Sequence, residues 1–177
     1  MLVLGIDPGT AVTGYGVVRL GARQQMHLVE CGVIRTRPCD AMGQRLNEIF
    51  NGISEVIERH HPDAVALEDV FYARNVRTTI TLGHARGVIM LAGERAGLTV
   101  HEFPPAEVKK AVVGSGAATK EQVQFMVARL LRLKTAPSPA DAADGVAAAI
   151  TLLMRAHLPA MPAAPSVRRT VPSVRLA

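Results

Sequence analysis

The start of the chain is the feature that most constrains its fold. An uninterrupted apolar run, Leu2 to Ile6, stops abruptly at Asp7, Pro8 and Gly9. This pattern is typical of a buried strand that ends in a turn, with an acidic residue at the strand's carboxyl end. Val12–Leu20 and Met26–Arg35 are predicted as two further strands joined by a turn, so the chain opens as an antiparallel meander.

The rest of the chain alternates between helical and strand patterns. The predicted elements are a helix over Ala41–His60, a strand over Asp63–Val70, a helix over Thr78–Ala96, a strand over Leu98–Phe103, and helices over Ala106–Val113, Lys120–Leu133 and Pro139–His157. This order predicts an α/β fold with a mixed five-stranded sheet, three antiparallel strands followed by parallel ones, flanked by helices.

Charge is distributed unevenly along the 177 residues, whose formal sum is +5. Bases exceed acids by 6 in residues 70–134, whereas acids exceed bases by 3 in residues 1–69. A basic middle segment favours a polyanionic partner such as nucleic acid. Residues 158–177 are rich in Pro and Ala, with three arginines and no acid, and we interpret them as a flexible tail outside a domain of residues 1–157.

Composition also excludes several classes of protein. Aromatic residues make up only 3% of the chain, which argues against an extended stacking platform for single-stranded nucleic acid. Two cysteines are too few for a disulfide framework, and no secretory signal or long apolar run is present. We therefore expect a cytoplasmic protein that does not span a membrane.

Four acidic residues are placed where they could converge: Asp7, Glu68, Asp141 and Asp144. Two unit charges 4 Å apart repel by roughly 4 kcal/mol at an effective dielectric constant near 20, so a cluster of acids needs cations. Mg²⁺ or Mn²⁺ prefers oxygen ligands, and paired ions support phosphodiester hydrolysis. Each acid also has a structural explanation, because Asp7 suits a turn, Asp141 suits a helix start, and Glu68 could pair with an arginine.

The motifs LGIDPGTAVTGYGVV, ALEDVFYARN, EVKKAVVGSGAATKEQVQ and PADAADGVAAAI occur in this order. From Leu2 to about His157 the chain resembles the RuvC family of Holliday junction resolvases, which have an RNase H-like fold. The resemblance implies that the four acids are catalytic and bind two Mg²⁺ or Mn²⁺ ions. It also implies a homodimer that nicks two like-polarity strands of a four-way junction symmetrically during recombination and repair, in association with the Ruv branch-migration complex. Asp69 and Gly145 depart from the common family pattern.

The resemblance further implies contacts with DNA. Phe71 takes the position of a ring that stacks on an unpaired base, with Tyr72 beside it, and Lys109 and Lys120 match lysines near the scissile phosphate. Further basic residues of the middle segment are expected to contact phosphates or solvent: Arg74, Arg77, Arg86, Lys110 and Arg129. Anchoring of a loop remains an alternative for the two rings, and simple solvation for the lysines. The glycines of helix Thr78–Ala96 suggest either a dimer contact or close packing on the sheet.

Three other functional classes are weighed against a junction-cleaving enzyme. Actin-like and sugar-kinase ATPases share the Asp-x-Gly turn, but they need a second lobe for which 177 residues leave no room. Smaller RNase H-like nucleases that mature ribosomal RNA share the opening motif and usually lack the long middle section. A non-enzymatic junction-binding protein would be supported by loss of an acid, and all four are present.

Overall fold

The computed structural model describes residues 1–69 and 76–157. Its strands and helices are β1 (Leu2–Asp7), β2 (Val12–Leu20), β3 (Met26–Arg35), α1 (Met42–His60), β4 (Ala64–Glu68), α2 (Val76–Arg95), β5 (Thr99–Phe103), α3 (Pro105–Val113), α4 (Lys120–Leu130) and α5 (Ala140–His157). The predicted order of elements is confirmed. Residues 158–177, interpreted above as a tail, lie outside the described residues.

The five strands form one mixed sheet in the order β3-β2-β1-β4-β5. β1 pairs antiparallel with β2, and β2 with β3, whereas β1 pairs parallel with β4, and β4 with β5. This arrangement confirms the predicted mixed sheet. It also places β1 and β4, which carry Asp7 and Glu68 at their carboxyl ends, side by side in the centre of the sheet.

Several element boundaries differ from the sequence-based prediction by one to three residues, and two of these differences have a visible cause. β4 starts at Ala64, not at Asp63. The Asp63 carboxylate instead accepts a hydrogen bond from the Leu2 amide at 2.6 Å, at the start of β1. α4 ends at Leu130, three residues early, where Arg132 adopts a left-handed conformation with φ of 55° and the Leu133 amide bonds the Ala128 carbonyl. Helical periodicity alone does not reveal such a turn, because the apolar spacing continues through it.

Helices cover both faces of the sheet. On one face α1 and α2 pack on Leu4 and Ile6 of β1 and Leu67 of β4. On the other face α3, α4 and α5 pack on Val3 and Ala66. Alternation along each strand therefore divides the core into two layers, and it directs Asp7 and Glu68 to the face that carries α5.

α5 lies in direct backbone contact with β1 and β2. A Cβ built on Gly14 would stand 1.8 Å from the Asp141 carbonyl oxygen, and one built on Gly5 would stand 2.1 Å from that of Gly145. In the other direction, a Cβ on Gly145 would stand 2.7 Å from the Tyr15 Cα. No side chain fits between helix and sheet at these points, so the glycines set how closely α5 approaches.

Candidate active site

Asp7 and Glu68 come together because their strands are parallel neighbours. Ile6 of β1 pairs with Leu67 of β4, so the residue after each stands at the same edge of the sheet and on the same face. Burial raises the pKa of both carboxyl groups, the charge of Asp144 raises both further, and the charge of Asp7 adds to the rise at Glu68. The sheet therefore supplies two acids to one site.

The other two predicted acids come from the first two turns of α5. Asp141 and Asp144 lie one helical turn apart, and the close approach of Asp141 to Gly14 sets that turn against the end of β1, where Gly14 pairs with Asp7. Carboxylate oxygens of Asp7, Asp141 and Asp144 all lie within 4.8 Å of one another. Glu68 is outside this triplet, so the structure groups three of the four predicted acids tightly and sets the fourth beside them.

A cleft of about 270 Å³ is lined by three of the four acids together with two predicted lysines. Its polar lining consists of Asp7, Glu68, Lys109, Lys120 and Asp144. Its apolar walls come from α3, α4 and α5, including Val108, Val123 and Ala147. The cleft therefore combines an acidic floor with two positive charges.

Lys120 is fixed at the start of α4. Thr119 caps the helix, because its hydroxyl oxygen accepts the Gln122 amide while the Gln122 side chain accepts the Thr119 amide. From this position the Lys120 ammonium donates to Asp144 Oδ2 at 2.7 Å, and this hydrogen bond raises the pKa of Lys120. Lys120 thus carries its positive charge directly at the carboxylates.

The carboxyl groups favour their protonated forms in this setting. Burial raises the pKa of Asp7 to about 7, and the negative charges of Asp144 and Asp141 contribute to the rise. Burial raises the pKa of Glu68 to about 8, with Asp7 and Asp144 contributing. Burial likewise raises the pKa of Asp144, although the hydrogen bond from Lys120 opposes the shift. One lysine close by and one more distant leave the acids short of positive charge.

The donor set fits a hard divalent cation. Three carboxylates from two secondary-structure elements converge within 4.8 Å, and no histidine or cysteine belongs to this cluster. Oxygen donors of this kind suit Mg²⁺ or Mn²⁺ rather than a metal that prefers sulfur or imidazole. The acidic cluster can therefore bind metal, and its residues are those that the sequence analysis nominated.

The remaining predicted DNA contacts fall into three groups. Phe71, Tyr72 and Arg74 lie outside the described residues. Arg77 is exposed on the first turn of α2, and Lys110 lines a separate groove beside Glu107 instead of the acidic cleft. Of the predicted basic contacts that the structure describes, Lys109 and Lys120 are the two that line the cleft.

The position of Arg86 does not match the expectation that its positive charge is available to DNA. Its guanidinium forms ion pairs with Asp69 and Glu102, and its side chain is only 20% exposed. The sequence analysis treated Asp69 as an unexplained extra acid beside Glu68. The structure accounts for it as a partner of Arg86.

Comparison with known proteins supports the assignment of the fold. The family model for crossover junction endodeoxyribonuclease RuvC matches residues 3–152. A protein of that name from Pelotomaculum thermopropionicum is 48% identical over 150 residues, covering 85% of this chain and 91% of the relative. This chain belongs to the RuvC family. One from Desulforamulus reducens is 45% identical over 151 residues, covering 85% and 91%.

Solved structures of the family share the fold. The Thermus thermophilus RuvC structure superposes with a TM-score of 0.81 at 37% identity, covering 88% of this chain and 95% of that one. A second structure of T. thermophilus RuvC, in complex with a Holliday junction substrate, gives the same TM-score at 35% identity, with coverage of 88% and 95%. The RNase H-like fold expected of a RuvC-family chain is therefore confirmed. No helix within the described ranges is long and apolar enough to cross a membrane.

Proposed function

We propose that this chain is a metal-dependent endonuclease that resolves four-way DNA junctions by hydrolysing phosphodiester bonds in two strands of like polarity, in recombination and repair. The observation that carries the proposal is the convergence of Asp7, Asp141 and Asp144 beside Glu68 and two lysines, in a chain of the RuvC family. The solved structure of a relative, T. thermophilus RuvC, is a complex with a Holliday junction substrate. The four acids are proposed as catalytic and metal-binding residues.

Each residue of the cleft has a distinct task in this proposal. The cation is bound by the carboxylates of Asp7, Asp141 and Asp144, whose backbones are held rigidly. Glu68 supplies a further carboxylate from β4. The Lys120 ammonium, now on Asp144, is within the cleft to stabilise negative charge on the phosphate, and Lys109 provides a second positive charge. Two Mg²⁺ or Mn²⁺ ions, when bound, would activate the attacking water and neutralise the reacting phosphate.

Contacts outside the cleft supply affinity and orientation. Arg77 and Lys110 are exposed and are proposed to contact backbone phosphates of the junction arms, as is Arg74. Arg74 and the rings of Phe71 and Tyr72, which are also proposed to contact DNA, belong to the segment outside the described residues. Phosphate contacts fix the register of the DNA without reading bases, and each one makes binding more sensitive to salt. We propose that Phe71 stacks on a base at the opened junction.

A homodimer fits the same proposal. α2 exposes an apolar stripe in which Val76 is 73%, Ile80 is 55% and Leu91 is 51% accessible. Gly83 and Gly87 lie along this stripe, and a Cβ built on either meets no atom within 4 Å among the described residues. Packing on the sheet uses other residues of α2, such as Ile89, so the stripe is free to meet a second copy. An isologous dimer would present two cleavage sites to the two equivalent strands of a symmetric junction.

Three further elements of the proposal rest on family membership. We place the protein in the cytoplasm, expect it to associate with the Ruv branch-migration complex, and assign nuclease activity to residues 1–157. Truncation after His157 is expected to preserve junction cleavage. Loss of cleavage by the truncated chain would assign residues 158–177 to the catalytic unit.

The test of the proposed function is cleavage of a synthetic four-way junction by the Asp7→Asn variant in Mg²⁺. The substitution replaces a carboxylate of the cluster by a neutral amide, which binds a divalent cation more weakly. Cleavage is therefore expected to disappear, while junction binding without metal is retained. Asp40→Asn makes the same change in a loop outside the cleft and is expected to cleave normally. Normal cleavage by Asp7→Asn, or equal cleavage of plain duplex by the unmodified chain, would contradict the proposal.

A further inference from the structure

Arg86 stands at the centre of an ion-pair cluster on the opposite face of the sheet from the carboxylate cleft. Its guanidinium lies 3.0 Å from Asp69 Oδ1 through one Nη and pairs with Glu102 through the other. Asp69 directly follows Glu68, and its amide donates to the Phe103 carbonyl at 2.8 Å, which extends the pairing of β4 with β5. One arginine of α2 therefore joins the ends of two adjacent strands.

Strand alternation places this cluster behind Glu68. Glu102 pairs with Leu67, which packs under α1 and α2, whereas Glu68 pairs with Phe103, which packs under α3 to α5. Arg86 thus holds the strand end from one face while Glu68 projects from the other face into the cleft. Arg86 does not line the cleft and touches none of the four catalytic acids.

The guanidinium is held in one orientation. Its side chain is 20% exposed, and its Nε is buried without a hydrogen-bond partner among the described residues. Leaving a buried donor unpaired is costly, so the two ion pairs at Nη must outweigh that cost for this orientation to persist. A planar, two-armed group can bridge two carboxylates on different strands, which a single ammonium cannot do in the same geometry.

We propose that Arg86 is a positioning residue for the metal site, which fixes Glu68 by clamping Asp69 and Glu102. Without Arg86, the cation that joins Asp69 to Glu102 would be lost, and the strand end that carries Glu68 would be held less firmly. Glu68 stands outside the tight triplet of acids and has no ion pair of its own in the described structure, so the clamp supplies its rigidity. This inference rests on the proposed function, because it concerns the same metal site.

Simple electrostatics predicts the opposite effect on metal binding. Removing a positive charge close to an acidic site makes the local potential more negative and should tighten the binding of a divalent cation. Displacing Glu68 should weaken it. The direction of the change in metal affinity therefore separates positioning by Arg86 from a charge effect.

The experiment measures Mn²⁺ binding to the full chain without DNA by electron paramagnetic resonance, and the Mg²⁺ concentration for half-maximal junction cleavage. Arg86→Gln is expected to weaken Mn²⁺ binding and to raise the Mg²⁺ midpoint, each by about 10-fold, which corresponds to a ligand-orienting role. Junction affinity without metal is expected to stay within about twofold. Arg59→Gln, which breaks an ion pair with Glu30 outside the cleft, is the matched control and should leave both metal measurements unchanged.

Arg86→Lys keeps the charge but loses the two-armed bridge, and an intermediate loss of Mn²⁺ affinity is expected. If Arg86→Gln does not fold, the Mn²⁺ affinity of Arg86→Lys tests the clamp in its place. Unchanged or tighter Mn²⁺ binding in Arg86→Gln, or full affinity in Arg86→Lys, would overturn the clamp. A chain that binds Mn²⁺ but does not cut junctions would instead refute the proposed function, and the clamp could still be assessed from Mn²⁺ binding alone.

Discussion

Gly14→Ala tests whether the backbone contact between α5 and the sheet sets the geometry of the site. The added Cβ would stand 1.8 Å from the Asp141 carbonyl oxygen, whereas ordinary contact begins at 3.4 Å, so the first turn of α5 must move by about 1.6 Å. Both partners are backbone or directly attached to it, so no side-chain rotation relieves the clash. Asp141 moves with that turn, and its neighbour Asp144 follows one turn later.

The expected consequences follow from that displacement. A functional constellation tolerates about 0.5 Å of error, and a misplacement of about 1 Å can cost on the order of 100-fold in rate. We therefore expect single-turnover junction cleavage at saturating Mg²⁺ to fall at least ~100-fold. Overpacking should also lower the free energy of unfolding by about 1–3 kcal/mol, which leaves the chain folded at low temperature.

The assay compares Gly14→Ala with two other glycine-to-alanine changes. Gly43→Ala adds a Cβ where nothing lies within 4 Å and should cleave normally with unchanged or slightly higher stability. Gly145→Ala needs about 0.7 Å of movement, from 2.7 Å to ordinary contact with Tyr15, and should give an intermediate loss. Wild-type cleavage by a folded Gly14→Ala chain would refute the idea that the glycine contact places Asp141 and Asp144.

Three further changes have defined outcomes. Burial raises the pKa of Asp7 to about 7. The folded chain therefore binds more protons than the unfolded chain between about pH 4 and 8. Without divalent metal, the free energy of unfolding falls as the pH rises through that window. Asp7→Asn should therefore stabilise the metal-free chain at pH 8 by about 2–4 kcal/mol in thermal unfolding and give little gain at pH 5. Lys120→Met removes the ammonium beside Asp144, and quenched-flow kinetics should show cleavage slowed by about 100-fold with junction affinity nearly retained. Ile80→Asp places a charge in the exposed stripe of α2 and should yield a monomer in analytical ultracentrifugation, whereas Arg129→Asp on α4 should not change the association state.

Most of the fold follows from local signals in the sequence. The apolar run before Asp7 and the break at Pro8 and Gly9 define β1, and the bounds predicted for β2 and β3 agree with the structure. The ends of α4 and β4 do not follow, because one depends on the local hydrogen bond between Leu133 and Ala128 beside a left-handed Arg132, and the other on the tertiary hydrogen bond between Leu2 and Asp63. Such bonds leave no periodic trace in the sequence.

The site could be nominated from the sequence but not built from it. The four acids were identified by their unusual places at strand ends and on one helix, and the structure brings Asp7, Asp141 and Asp144 together. Nothing in the strand pattern of Val12–Leu20 connects Gly14 directly with Asp141. The alternation Gly14, Gly16 on one face of β2 is the available signal, because two glycines on one strand face indicate close approach of another backbone.

The partners of Arg86 could not be predicted from the sequence, for a different reason. Its charge placed it in the basic middle segment, and net charge by segment cannot distinguish a cation that meets DNA from one that meets two carboxylates of its own chain. Asp69 and Glu102 are far apart in sequence and meet only because β4 and β5 are neighbours. Pairing between charges of this kind requires the sheet order.

The glycine contact of α5 also divides the proposed metal site into a rigid part and a more mobile part. Asp7, Asp141 and Asp144 are attached to two backbones that touch without an intervening side chain, so their spacing can change only if a helix lifts from the sheet. Glu68 and Lys120 are attached to a strand end and to the first turn of a different helix. Any adjustment to a distorted phosphate during turnover must therefore come from these two residues, and the hydrogen-bonded amides of α5 from Gly145 onwards should exchange as slowly as those of β1.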